Sequence, residues 1–216
     1  MSAASIQKKL NKAYGKVGRK LGFESDIYRV SQTYDNPIDT PNWIHNIKAS
    51  FSQDNKFSAP VGSNVWLAWL DATLDNTFDL KVGDIIADRE TGRVYYMMDM
   101  HPLHPYRALE TNTTISLATS TKYNDSGFGW SQSQTVSLNN IPAWVSTTGS
   151  RSIDGGFVPA RTATVQSSDQ YTIQLWMPEG SIATNDTITL RDGTLLTVTS
   201  SMWDIRGYKI TAVVQE

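Results

Sequence analysis

The stretch LKVGDIIADRETGRVYYMMDM, residues 80–100, decides how the rest of the chain is read. Val82-Gly83-Asp84 is a turn, and Ile85, Ile86 and Ala87 follow as a short apolar run. Glu90-Thr91-Gly92 reads as a tight reversal, because Gly92 adopts positive φ without a Cβ penalty. Val94 to Met98 is rich in β-formers and supplies the second strand. The expectation is a β-hairpin with one buried face and no residue arrangement that performs chemistry.

The hairpin has an echo in TNDTITLRDGTLLTVTSSMW, residues 184–203. Asn185-Asp186 stands where Gly83-Asp84 stood, Ile188 and Leu190 replace the first strand, and Asp192-Gly193 replaces the Thr91-Gly92 turn. Leu195 to Val198 then replace the second strand. The flanks agree: Val65 to Leu70 precedes the first hairpin and Tyr171 to Trp176 the second. Tyr106 to Leu109 and Thr114 to Leu117 follow the first, and Gly207 to Val214 follows the second. The pattern implies two copies of one β-module, each of roughly 45 to 55 residues.

A chain of 216 residues accommodates one large or two small domains. Seven Trp, nine Tyr and six Phe give bulk for two modest cores although only 39% of residues are hydrophobic. A net charge of −2 argues for no global attraction to nucleic acid. With no cysteine, disulfide stapling and thiolate metal or redox chemistry are excluded. No apolar run reaches the roughly 20 residues of a membrane-spanning helix. The basic N-terminus lacks the apolar core of a signal peptide, so no secretion is expected and Asn-x-Ser/Thr at Asn112, Asn124 and Asn185 is read as chance.

Residues 1–23 stand apart as a basic N-terminal helix or arm. Lys8, Lys9, Lys12, Lys16, Arg19 and Lys20 give them +6 with no acid, while the remainder carries 13 Lys/Arg against 21 Asp/Glu, a net −8. Ile6, Leu10, Ala13, Tyr14, Val17 and Leu21 recur at helical spacing. Ser2 or Ser5 suits the cap, and Gly15 and Gly18 weaken the helix in isolation. The six cations are candidates for docking on an acidic protein partner; a solvated charged face, or nucleic-acid or membrane contact, is the alternative.

The first β-module is assigned to 24–117, with a plausible strand from Ile44 and a buried strand at Trp66 to Leu70. Residues 118–164 are dominated by Ser, Thr, Asn, Gln and Gly, with isolated anchors such as Trp130 and Trp144, and read as a polar extended connection with short strands, lying on its own domains or on a neighbouring subunit. The second β-module takes 165–216. Its last strand, Ile210 to Val214, ends almost at the chain end and must be paired or offered to a partner. Trp130, Trp144, Ile210 and Val213 are therefore the candidate subunit contacts.

The chain has no nucleophile elbow, phosphate-binding glycine loop or His/Glu metal motif. His101 and His104 are each followed by proline, which disfavours the helix that would align them on a metal. Asp71, Asp75, Asp84 and Asp88 sit in turns beside strands, where carboxylates form turns far more often than they catalyse. Trp66, Trp69 and Trp176 belong to strands and to the core, whereas Trp43, Trp130, Trp144 and Trp203 lie in turns or loops, free to face a ligand or partner or to pack. No catalytic residue, cofactor or metal is expected.

The string VGDIIADRETGRVYYMMDMHPLHPYRALETNTTISL resembles the small β-modules of tailed-bacteriophage neck and tail proteins, and ITLRDGTLLTVTSSMWDIRGYKITAVV is similar to the final strands of their head-closure and head–tail joining proteins. The resemblance covers roughly residues 65–117 and 170–216, mainly as hairpin grammar, and leaves the basic helix without a counterpart. It implies a mainly β virion protein, not an enzyme: two related small β-barrel or sandwich modules with an N-terminal basic amphipathic helix. The implied role is a neck component (head–tail connector, collar, adaptor or head-closure protein) in a homo-oligomeric ring between capsid portal and tail, hexameric or dodecameric. Its implied partners are adjacent neck, portal or tail proteins, with DNA passing through unbound and no membrane; it would be made in the host bacterial cytoplasm. The other reading is a tail-tip or baseplate module that binds a host surface glycan through loop aromatics.

Overall fold

The computed structural model describes residues 3–30, 36–53, 64–71, 79–101, 105–125, 129–147 and 170–215, with the side chains of 3–4 and 120–137 left aside. After helix α1 (Ala3–Leu21), strands β1 (Phe23–Tyr28), β2 (Trp43–Ser52), β3 (Val65–Leu70), β4 (Ile85–Asp88), β5 (Val94–Asp99) and β6 (Tyr106–Glu110) close into one barrel in the order β1-β2-β3-β6-β5-β4. Strands β7 (Thr113–Asp125), β8 (Gly129–Thr147), β9 (Gln170–Leu175), β10 (Thr187–Leu190), β11 (Leu195–Asp204) and β12 (Gly207–Val214) close into a second, in the order β7-β8-β9-β12-β11-β10. Every pairing is antiparallel and the two orders are the same.

The duplication reaches single hydrogen bonds. Gly83 has φ +90° and Asn185 φ +74°, a conformation that suits glycine and is tolerated by asparagine. Gly83 N–H donates to the Met97 carbonyl and Met97 N–H to that of Asp84; in the second barrel Asn185 N–H donates to Val198 and Val198 N–H to Asp186. The Asp84 carboxylate accepts from the Lys81 N–H at 2.7 Å, and Asp186 from the Ala183 N–H at the same distance. Inward-facing residues correspond as well: Ile47 and Ala49 with Ile141 and Ala143, Ile86 with Ile188, and Ala108 with Ala212, all buried. Where Ile115 fills the second barrel, the first carries Ser25 opposite Asp88, and aromatic bulk from Tyr95, stacked on Phe51 at 3.7 Å, fills the space instead.

The boundaries differ from those expected. Thr114 to Leu117 does not return into the first module; it lies in β7 and opens the second barrel. Residues 118–125 and 129–147, assigned to a polar connection with short strands, belong to β7 and β8, and the strands of that barrel span Thr113 to Val214. Their Ser/Thr-rich composition suggested short strands rather than two long ones. Beyond Ala118 and Val136 the two strands pair with each other, Thr119 to Thr135 through Asp125 to Gly129, forming a ribbon about 20 Å long. Residues 148–169, which include most of the end of the expected connection, lie outside the described residues.

The opening hairpin also buries two faces rather than one. Ile86, Tyr95 and Met97 line the first barrel, while Ile85, Tyr96 and Leu109 point outward into a seam with Tyr28, Val30, Ile38, Trp144 and Trp176. This accounts for the consecutive apolar pairs Ile85-Ile86 and Tyr95-Tyr96, since a strand buried on both sides loses its alternation. Trp176 lies directly on the Gly83 Cα, where no side chain would fit. Asn112, between the barrels, donates to the Val145 carbonyl at 2.8 Å and accepts from the Val145 N–H at 2.9 Å.

Candidate interaction surface

The elements that could meet a partner are those outside the two closed barrels, and α1 is the longest of them. It packs on β2 and β3. Its seat is glycine: a Cβ on Gly18 would stand 2.7 Å from the Trp69 carbonyl oxygen and the Asp71 nitrogen, and one on Gly22 would stand 2.8 Å from Ala49 backbone. The glycines that weaken the isolated helix are thus what lets it reach the sheet. At 100° per residue the seat, Gly15, Gly18 and Gly22, spans about 60° of the helix circumference, and the six cations span about 120° beside it. Lys8, Lys9, Lys12, Lys16, Arg19 and Lys20 are all exposed.

This arrangement does not arise from helix stability. Lys8, Lys12, Lys16 and Lys20 follow one another at four-residue spacing, so each neighbouring pair repels. No acid stands in the first turn to offset this, and only Arg19 and Lys20, in the last turn, complement the helix dipole. The apolar arc is also incompletely covered: Leu10, Tyr14 and Val17 are half-buried, whereas Ile6 is 40% and Leu21 67% exposed, next to Phe23 at 45%.

The acidic candidates are engaged in the architecture. Asp84, 1% exposed, accepts from Arg29 Nε at 2.7 Å and Nη2 at 2.8 Å as well as from Lys81. The carboxylate next to it raises the already high Arg29 pKa, chiefly through the side-chain hydrogen bond. Asp88 accepts from the Glu90 and Thr91 N–H groups and from Thr91 Oγ1, closing the reversal before Gly92 (φ +68°). Asp71 accepts from the Lys48 N–H at 2.9 Å; Asp75 lies outside the described residues. Among the described residues no group of three or more His, Cys, Asp or Glu could hold a metal ion. His45 and His101 are exposed, and His104 lies outside the described residues.

The tryptophans divide. Trp66 packs against the first core, edge-on to Tyr95, and Trp176 and Trp144 belong to the seam between barrels. Trp203 packs on the second core and donates Nε1–H to the Met177 carbonyl at 3.0 Å. Trp144 therefore has a contact within its own chain. Ile210 is 0% exposed in the second core, which removes it as a subunit contact, and half-buried Val213 lies in a strand paired on both sides by β11 and β9. The terminal strand is thus not an open edge. Trp130 stands opposite Asn124 in the β7–β8 ribbon, and its side chain is outside the described residues. The seam leaves one crevice of about 10 Å³ lined by Val30, Ile85, Tyr96 and Trp176, room for about one water.

Trp43 is the large exposed aromatic with a fixed pose. It is 44% exposed, and its Nε1–H donates to Asp26 Oδ1 at 2.9 Å. Arg89 clamps the same carboxylate through Nε and Nη2 at 2.7 and 2.6 Å. The hydrogen bond from Arg89 leads the influences that hold the Asp26 pKa below its ordinary value. Depressed in the fold, this group contributes stability above the unfolded carboxylate range of about 3.9 and loses it as pH falls further. Trp43 emission is expected to shift in that acid window, at a pH below ordinary aspartate titration. Asp26→Asn should abolish the shift; an unchanged acid transition in the variant would exclude Asp26 as its source.

Comparison of the chain with protein-family models, with curated proteins and with solved structures finds no match. The functional reading therefore rests on the geometry and on the resemblance of the hairpins.

Proposed function

We propose that this protein is a non-enzymatic structural component of a tailed-bacteriophage neck, acting as a homo-oligomeric ring between capsid portal and tail. The observation that carries the reading is what extends beyond the barrels. Two closed barrels offer no unpaired sheet edge along most of their circumference, yet α1 turns six cations outward and the β7–β8 ribbon runs on past the reach of the barrel strands β10 and β9 that flank it. A two-stranded ribbon alone in water is marginal, so contact with a neighbouring subunit suits it. Adjacent neck, portal or tail proteins are the proposed partners. The −8 carried by the rest of the chain suits a wall past which DNA moves without sticking.

Light scattering on the purified protein, with negative-stain images of the same sample, is expected to show a closed hexamer or dodecamer. A monomer at all concentrations would count against self-assembly in solution and move weight to the glycan reading. That second reading is favoured by Trp43 alone, whose exposed ring is held rigid by Asp26 and suits stacking on a sugar. Quenching of Trp43 emission by host polysaccharide, lost in Trp43→Ala, would support it.

A further inference from the structure

We infer that the basic face of α1 is the subunit contact of this protein: it docks on the acidic first barrel of a second copy of the same chain. The inference deepens the ring reading and rests on it.

Three observations lead to it. First, the helix is seated through Gly18 and Gly22, and Lys8, Lys12 and Lys16 stand exposed beside that seat. Second, the lysines at four-residue spacing oppose helix formation, which makes sense on a surface that an anionic partner covers. Third, the matching surface belongs to this chain. Residues 24–112 carry 7 Lys/Arg against 13 Asp/Glu, a net −6 opposite the helix's +6, whereas residues 113–216 are only −2. Glu24, Asp39, Asp79 and Glu90 are exposed on that barrel, and two of them form long ion pairs, Lys48 to Glu24 at 3.5 Å and Lys81 to Asp79 at 3.8 Å.

Because helix and barrel are different patches, the contact can run head-to-tail, each copy presenting its helix to the next and its barrel to the one before. Such a heterologous contact closes into a ring when its rotation permits. The exposed Ile6, Leu21 and Phe23 would add apolar area beside the charged contact. An acidic upstream protein or an anionic membrane would satisfy the cations as well; the self-contact is favoured because its acidic partner is present on the chain itself.

The test compares three full-length proteins by light scattering at about 50 and about 500 mM salt, where screening shortens to a few ångströms. The wild type is expected to assemble at low salt and to lose mass at high salt. Lys8→Glu/Lys12→Glu/Lys16→Glu, folded by circular dichroism, is expected to lose at least tenfold in association. Adding Asp39→Lys/Asp79→Lys/Glu90→Lys to that variant is expected to restore assembly. A ring that forms equally well from the helix variant would overturn this inference and leave the ring reading standing. A wild type that stays monomeric at both salts would overturn both. Loss without rescue would remove the first barrel as the acceptor, and capture of the wild type by phosphatidylglycerol vesicles without self-assembly would give the face to a membrane.

Discussion

Gly83→Val is expected to destabilise the protein by about 4 kcal/mol, the largest single effect we foresee. Two costs combine. The residue has φ +90°, which a β-branched side chain adopts only with strain of order 1–3 kcal/mol. Its Cβ would also enter the space held by the Trp176 ring, so Trp176 must leave the seam or the barrels must part. Gly83→Ala, with less bulk, is expected to cost about 2 kcal/mol by the same two routes. Denaturant unfolding of the single variants, Trp176→Ala and the Gly83→Ala/Trp176→Ala double variant separates them. If the ring is the obstacle, the double variant is less destabilised than the sum of the singles. Strict additivity would leave backbone strain as the whole cost. Gly193, also at φ +90° but with nothing within 4 Å of an added Cβ, serves as the control for strain without collision.

Asp84→Ala is expected to cost about 3 kcal/mol; Asp186 holds the matching place in the second barrel. Both carboxylates are buried, and both accept the N–H of the residue three places earlier. Losing that acceptor strands a backbone donor in each barrel, a loss of order 1–2 kcal/mol. Asp84 has a further partner in Arg29: removing it leaves the half-buried guanidinium without the carboxylate that its Nε and Nη2 contact. Breaking a buried ion pair from one side costs more than losing a neutral bond, while the 32% exposure of the Arg29 side chain lets water recover part of it. Thermal unfolding of Asp84→Ala, Arg29→Ala and the double variant reads the coupling between the two side chains. Strict additivity would mean that the Arg29 pair contributes nothing net.

Two related β-modules, barrel or sandwich, were legible from residues because their hairpins carry local signals. Gly92 and Gly193 mark reversals, Gly83 and Asn185 mark the positive-φ step before each buried aspartate, and Ile86 and Ile188 mark the inward positions. Strand β1 was not legible. It buries Ile27 and the polar Ser25, so it shows little apolar alternation. Strands β7 and β8 were legible only in part, as a strand at Thr114 to Leu117 and short strands in a polar connection, because Ser, Thr, Asn and Gln dominate that stretch.

By itself the sequence determined the fold class, the internal duplication and the charge separation between residues 1–23 and the rest, because each depends on local turn chemistry, periodicity and counting. Tertiary structure alone decided which neighbours those residues meet. Ile85 and Tyr96 could not be known to face a seam, nor Gly18 to be a seat, until the second barrel and strands β2 and β3 were in place. The same holds for Ile210, a terminal-strand residue that becomes core only because β9 and β11 flank it on both sides. A residue type restricts backbone conformation and burial preference, but the identity of the surface it packs against is a property of the closed barrels.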